Sequence, residues 1–323
     1  MNDFKILFMG TPEFARISLE YLVENKFDIA GVVTQPDKPF GRKMILTPPP
    51  VKEYALQLNI PVYQPQTLKN DEFFDLLKKI SPDIIVVVAY GKMLPKNVLD
   101  FPRLGCVNVH GSILPKYRGA SPINAALING DKTTGITTIY MDEGCDTGDM
   151  ILKESTEINE NETFGELHDR LAQIGGKVLV ETLNQIKNNT VKREKQPGNG
   201  VSHVTKIDTE MCEIDWNMTA KQIHDKIRGL SPSPTAFTWL NGKKLKIYKS
   251  RVLEKKFEEN NAEQDKINGE VMGFDAVTKT IEVKTSGDVI EILELQAEGG
   301  KKMTAADFFN GRKIEKGMVL GGK

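Results

Sequence analysis

Asn108 and His110 stand two positions apart in Cys106-Val107-Asn108-Val109-His110, a short apolar run that predicts a β-strand. Strand side chains alternate between faces, so the carboxamide and the imidazole project from the same one. That pair suits acyl transfer. An amide N–H stabilises an oxygen that gains negative charge, and an imidazole carries or donates a proton. Two polar residues at a strand end, taken alone, fit an ordinary capped strand equally well. The next segment, Gly111-Ser112-Ile113-Leu114-Pro115-Lys116-Tyr117-Arg118-Gly119, reads as a loop. An acidic turn, Asp142-Glu143-Gly144-Cys145-Asp146-Thr147-Gly148-Asp149, follows another strand-like run. Two loops at one sheet edge would bring Asp146 beside His110. A metal centre is disfavoured, because no second His or Cys falls at ligand spacing.

Positioning these groups needs a sheet, and the first half of the chain supplies one. Strands are predicted at 4–9, 29–34, 84–89, 106–110 and 135–141, with helices at 12–24, 51–58, 73–79 and 123–128 between them. The run at 84–89 is β-branched up to its last residue, which predicts a central, parallel strand. Strands alternating with helices imply a doubly wound, Rossmann-like, mostly parallel sheet, which places ligands at the carboxyl ends of its strands. A helix over 163–187 closes the region. Turn-rich segments at 188–190 and 196–200 suit a linker. Beyond 206 the pattern changes to a short helix at 220–228 and strands at 236–240, 245–248, 269–272, 280–283 and 290–295, which predict a small OB-like β-barrel. The polar stretch 254–265 reads as a long loop. The expected division is therefore 1–189, a linker at 190–206, and 207–323.

The chain has 323 residues, long enough for two domains, with 39% hydrophobic and 27% charged residues. Against 44 acidic residues stand 43 basic ones, a formal net charge of −1, which excludes a globally basic nucleic-acid binder but not a local basic patch. Two such patches are visible, one of Lys243, Lys244, Lys246, Lys249 and Arg251, the other of Lys301, Lys302, Arg312, Lys313 and Lys316. On one face of a barrel they would neutralise phosphates. The apolar run at 84–89 is too short to span a bilayer. The opening Met1-Asn2-Asp3-Phe4-Lys5 shows no signal-peptide pattern. The three cysteines, Cys106, Cys145 and Cys212, are odd in number and widely spaced, so a reduced, cytoplasmic protein is expected. The first turn, Gly10-Thr11-Pro12-Glu13-Phe14-Ala15, does not fit the dinucleotide fingerprint, and no phosphate loop ending in Lys-Ser or Lys-Thr is present. A dinucleotide dehydrogenase is disfavoured.

Asn108-Val109-His110-Gly111-Ser112-Ile113-Leu114-Pro115 resembles the signature of the formyltetrahydrofolate-dependent formyltransferases, and Asp142 to Asp149 resembles that family's second motif. Thr34-Gln35-Pro36-Asp37-Lys38-Pro39-Phe40-Gly41-Arg42 is similar to an inserted loop in the family members that act on charged tRNA. The likeness extends almost end to end. Departures are Cys145 where leucine is usual, Ser233 where tryptophan is common, and Lys92 where an apolar residue is common.

The resemblance implies 10-formyltetrahydrofolate as formyl donor and methionyl initiator tRNA as acceptor, with no metal and no nucleotide cofactor. It implies Asn108, His110 and Asp146 as catalytic residues. Asn108 would donate to the formyl oxygen, and His110 would stabilise that oxygen or protonate the leaving nitrogen. Asp146 would favour the imidazolium and help remove the amine proton. It implies a folate pocket walled by Val88, Ala89, Tyr90 and Gly91 and by Ser112, Ile113, Leu114 and Pro115, core packing being part of what Val88 does. Arg42 and Lys43 would meet the tRNA acceptor stem, with Lys244 and Lys246 on the C-terminal domain. A monomer is expected, with no membrane partner. Alternatives are a formyltransferase for another amine, such as a nucleotide sugar or glycinamide ribonucleotide, a hydrolase of the same folate, and a non-catalytic RNA-binding protein on this scaffold.

Overall fold

The computed structural model describes residues 4–41, 44–253, 266–311 and 313–322. Along the chain run β1 (Ile6–Gly10), α1 (Glu13–Glu24), β2 (Ile29–Val33), the hairpin β3 (Lys38–Phe40) and β4 (Ile45–Thr47), α2 (Pro50–Gln57), β5 (Val62–Tyr63), α3 (Asp71–Ile80), β6 (Ile84–Val88) and α4 (Lys96–Leu99). They are followed by β7 (Cys106–His110), β8 (Arg118–Gly119), α5 (Pro122–Ile128), β9 (Thr133–Tyr140), β10 (Met150–Glu157), α6 (Phe164–Lys187) and β11 (His203–Val204). The remainder holds α7 (Ala220–Leu230), β12 (Ala236–Leu240), β13 (Lys243–Leu253), β14 (Val271–Asp275), β15 (Thr280–Lys284), β16 (Val289–Ala297), β17 (Met303–Thr304) and α8 (Ala305–Asn310). Two compact units result. The first comprises the residues through Pro122, Thr134–Thr156 and His168–Thr205; the second comprises Ile123–Thr133, Glu157–Leu167 and the residues from Lys206 onward.

A seven-stranded sheet in the order β10-β9-β7-β6-β1-β2-β5 forms the centre of the first unit. β6 lies parallel to both β1 and β7, and all of its residues are buried, as its β-branched composition predicts. β9 runs antiparallel to β7, so the sheet is parallel at its heart and reverses toward one edge. The helices carry local signals that the sequence makes visible. Asn70 caps α3 by accepting the Phe73 N–H at 3.2 Å, with Asp71 and Glu72 in the first turn and Lys78 and Lys79 in the last, each charge matched to the helix dipole. Along α6, Gly175 and Gly176 allow close packing. A Cβ at Gly176 would come within 2.4 Å of the Tyr21 ring, and one at Gly175 within 3.3 Å of Val109 on β7.

The expected small barrel corresponds to an antiparallel β unit. Its strands pair in the order β12-β13-β16-β15-β14, with β17 on β16. A capping box of Thr219 and Gln222 starts α7. Ile223 and Ile227 of that helix join Trp216, Ile247, Ile292 and Phe308 in one buried cluster.

Several short or polar elements escape the sequence pattern, among them β4, β5, α4, β8, β11 and β17. β10 is half polar (Met150-Ile151-Leu152-Lys153-Glu154-Ser155-Thr156-Glu157), because it is an edge strand with a largely exposed face. The β3–β4 hairpin lies inside the inserted loop, and α8 is only six residues long. The stretch read as a long loop, 254–265, lies outside the described residues.

Candidate active site

β1, β6 and β7 are parallel, so their carboxyl ends share one edge of the sheet, and β7 ends there on Asn108 and His110. The turn after β9 delivers Asp146 to the same place. Asn108 Nδ2 donates to Asp146 Oδ1 at 3.2 Å, and His110 Nδ1 stands 3.5 Å from Asp146 Oδ2. The other imidazole nitrogen, Nε2, donates to the Tyr117 carbonyl at 2.9 Å, since a carbonyl can only accept. Each ring nitrogen therefore faces an oxygen, and a proton on Nδ1 would be held by the carboxylate. Both side chains are well shielded, with 5% of the His110 side chain and 15% of the Asp146 side chain exposed. In that setting a polar contact counts for more than it would in water.

The Asp146 turn is held from outside its own segment. Asp146 has φ +54, a left-handed conformation that aspartate tolerates better than most residues. The Gly119 backbone N–H donates to Asp146 Oδ2 at 2.9 Å. Gln196 Nε2 donates to the carbonyls of Asp146 (2.7 Å) and Gly148 (2.9 Å), while its Oε1 accepts from Arg118. Gln196 lies in the stretch read as a linker, fifty positions from Asp146, and no pattern in the sequence marks it. Gly119 has φ +116, and a Cβ there would sit 2.1 Å from the Val204 carbonyl oxygen. Only glycine admits the close approach of β8 to β11. Cys145 is exposed beside Asp146. Partial desolvation of the thiol, and then the neighbouring carboxylate, push it above its ordinary pKa, which favours the protonated, weakly nucleophilic form.

The loop after β7 is ordered from β9. Thr137 Oγ1 donates to the Ser112 carbonyl at 2.7 Å and accepts the Leu114 N–H at 3.1 Å. Ser112 is buried and its hydroxyl donates to the Lys116 carbonyl at 2.5 Å. Leu114 packs with Ile139 and Met150 in a small core, while Ile113 and Pro115 are half-buried. At the end of β6 Val88 is fully buried, and beyond it Ala89 and Gly91 are exposed with φ +45 and +83. Tyr90 is buried between them. Its carbonyl accepts from Thr11 Oγ1 (3.3 Å) and Gln35 Nε2 (3.1 Å). Its hydroxyl has no hydrogen-bond partner among the described residues, and burial pushes its pKa up to about 12. A buried hydroxyl left this way costs about 1–3 kcal/mol.

Arg42 and Lys43 lie outside the described residues, as does Arg312. Lys244 and Lys246 share the outer face of β13, opposite the buried Leu245 and Ile247. Lys244 Nζ stands 3.9 Å from the Phe237 ring centroid and 5.5 Å from that of Trp239, within cation–π range. Both lysines line a cavity of about 610 Å³ shared with Lys206, Asp208 and Phe237. Two members of the basic patches already have a carboxylate partner. Arg251 is bound to the buried Glu291 at 2.6 Å, and Lys302 pairs with Glu294 at 2.5 Å.

The chain matches the formyl transferase family over residues 4–183 and the formyl transferase C-terminal domain over residues 206–313. The methionyl-tRNA formyltransferase of Caldicellulosiruptor saccharolyticus is 48% identical over 317 residues, covering 98% of this chain and 99% of that protein. That of Clostridioides difficile is 45% identical, covering 98% and 100%. Among solved structures, WlaRD, a sugar 3N-formyl transferase, aligns with a TM-score of 0.66 at 22% identity, over 90% of this chain and 98% of its own. HypX from Aquifex aeolicus in complex with tetrahydrofolic acid aligns with a TM-score of 0.64 at 14% identity, over 100% of this chain and 51% of its own. At those identities the structural likeness speaks to the fold.

Proposed function

The chain belongs to the formyl transferase family, and from that premise we propose that it moves the formyl group of 10-formyltetrahydrofolate to the α-amine of methionyl initiator tRNA, for translation initiation. The observation that carries the chemistry is the Asp146 carboxylate holding Asn108 and facing His110 at the carboxyl edge of the sheet.

In the reaction the amine nitrogen bonds to the formyl carbon, the bond from that carbon to folate N10 breaks, N10 gains a proton and the amine loses one. A free α-amine has a pKa of about 8, so part of it is already neutral and nucleophilic near neutral pH. Asn108 has two amide hydrogens. One is directed to Asp146, and the other serves the formyl oxygen as it gains charge, a donor worth roughly 3–4 kcal/mol of barrier. His110 acts on the side of that oxygen and N10, and Asp146 on the side of the amine proton.

The donor is held by residues 88–91 and 112–115. The backbone around Tyr90, exposed at Ala89 and Gly91, and the unpartnered Tyr90 hydroxyl support that reading. Arg42, Lys43, Lys244 and Lys246 are assigned to the tRNA, whose phosphates they would neutralise. Residues 1–189 are taken as the catalytic domain, 190–206 as the connecting segment and 207–323 as the tRNA-binding domain. No helix among the described residues is long and apolar enough to cross a membrane. The protein is proposed to act in the cytoplasm as a monomer.

The test is formyl transfer from the folate donor to charged initiator tRNA, run beside free methionine, an amino sugar nucleotide and water as acceptors. Efficient transfer to the tRNA alone is expected. Preferred transfer to the sugar nucleotide, or release of formate to water, would replace this reading.

A further inference from the structure

Asp37 and Lys52 stand at the two ends of the β3–β4 hairpin segment, Asp37 immediately before β3 and Lys52 in the first turn of α2. Lys52 Nζ donates to both Asp37 carboxylate oxygens, at 2.9 and 2.8 Å, and to Gln64 Oε1 at 2.8 Å, which uses all three ammonium hydrogens. Gln64, just beyond β5, donates from Nε2 to Asp37 Oδ1 at 2.7 Å and to the Gln35 carbonyl at 2.8 Å. Gln35 in turn donates to the Tyr90 carbonyl at 3.1 Å. The chain of bonds thus runs from the hairpin base to the edge strand of the sheet and on to the segment beyond β6.

This pair differs from the surface ion pairs of the same unit. Lys78–Asp75 is a local contact with both side chains more than half exposed, whereas Lys52 and Asp37 are 21% and 25% exposed and fifteen positions apart. The Lys52 and Gln64 hydrogen bonds hold the Asp37 carboxyl below its ordinary pKa, so Asp37 is ionised at neutral pH. Of the described side chains beyond it, Met44, Ile45 and Leu46 are 68%, 62% and 64% exposed. Exposed apolar side chains give a segment little direction through packing, which leaves its base to supply it.

We propose that Asp37, Lys52 and Gln64 form a positioning clamp that sets where the β3–β4 hairpin points, and so prepares it to capture the tRNA acceptor end. The inference rests on the tRNA reading above. None of the three residues touches the reacting atoms, and each acts through the hairpin.

The test uses the full-length protein with Lys52→Met, Asp37→Asn, the two combined, and Lys52→Arg. The Michaelis constant for charged initiator tRNA should rise roughly tenfold in each of the first two, equivalent to about 1.4 kcal/mol. Turnover at saturating tRNA and equilibrium binding of the folate donor should stay within about twofold, because the chemical groups are untouched. The combined variant should resemble either single one, since both remove the same contact. Lys52→Arg, which keeps the charge and several donors, should recover most of the loss. Asp37→Asn is nearly isosteric and keeps the test open if Lys52→Met does not fold. An unchanged tRNA constant in folded variants overturns the clamp. So does a parallel loss of folate and tRNA binding, which would make these residues a general structural support. A wild-type chain that does not formylate the tRNA overturns the functional reading itself, and is told apart by that control.

Discussion

Asn108 and Asp146, thirty-eight positions apart in the chain, are joined by a 3.2 Å hydrogen bond from Nδ2 to Oδ1. The bond fixes the rotation of the carboxamide, leaves its second N–H free to serve an oxygen, and keeps the carboxylate within reach of His110. Each group is oriented by the next, as pre-organised catalysis requires.

Asn108→Ala, His110→Ala and Asp146→Asn should each lower turnover by about a hundredfold or more while the protein stays folded. Asparagine is chosen at Asp146 because it tolerates the left-handed φ of +54 there. The losses should not add in double variants, as expected of groups proposed to serve one reaction. Steady-state kinetics with circular dichroism on each variant decides it, and near-normal turnover in a folded variant removes that residue from the mechanism.

Gln196→Ala should slow turnover by about tenfold to a hundredfold, although Gln196 is assigned no chemistry. It frees the carbonyls of Asp146 and Gly148, and a shift of about 1 Å in a reacting group has a cost of that order. Gln196→Glu keeps an acceptor for Arg118 but offers the two carbonyls no donor, so it should not restore activity. Recovery in the glutamate variant would show that the Arg118 contact is what matters.

Cys145→Leu should retain activity. The raised thiol pKa argues against a thiolate nucleophile, and formyl transfer needs none. Wild-type turnover should also survive brief treatment with a thiol-blocking reagent small enough not to obstruct the turn. Loss of activity in folded Cys145→Leu would reveal a reactive thiol.

Glu291 should make the second unit sensitive to acid. Burial alone would raise its pKa, but the Arg251 guanidinium and the Thr280 and Thr278 hydroxyls outweigh it and hold the carboxyl below its ordinary value. The unfolded chain then binds the proton more readily, so the stabilisation is complete above the unfolded pKa of about 4.3 and is lost as pH falls through the folded value. Glu291→Gln should cost about 2 kcal/mol near neutral pH. That gap should close as the medium is acidified. Urea midpoints at several pH values test this, and a gap independent of pH would assign the effect to shape alone.

The sequence by itself determined whatever depends on local periodicity and residue type. Asn108 and His110 share a face because strand side chains alternate, and the β-branched run at 84–88 had to be a central strand because both its faces must be buried. The loop carrying Asp146 was legible as an acidic turn after a strand. Tertiary structure alone decided how that turn is aimed. Its direction comes from the Gly119 N–H and from Gln196, partners from distant segments whose contact no spacing encodes. The same holds for charge. Lys244 and Arg251 look alike in sequence, yet one lies over two aromatic rings and the other is held by a carboxylate on the neighbouring strand. Periodicity places a side chain on a face, but which group it meets there is settled only when the strands pair.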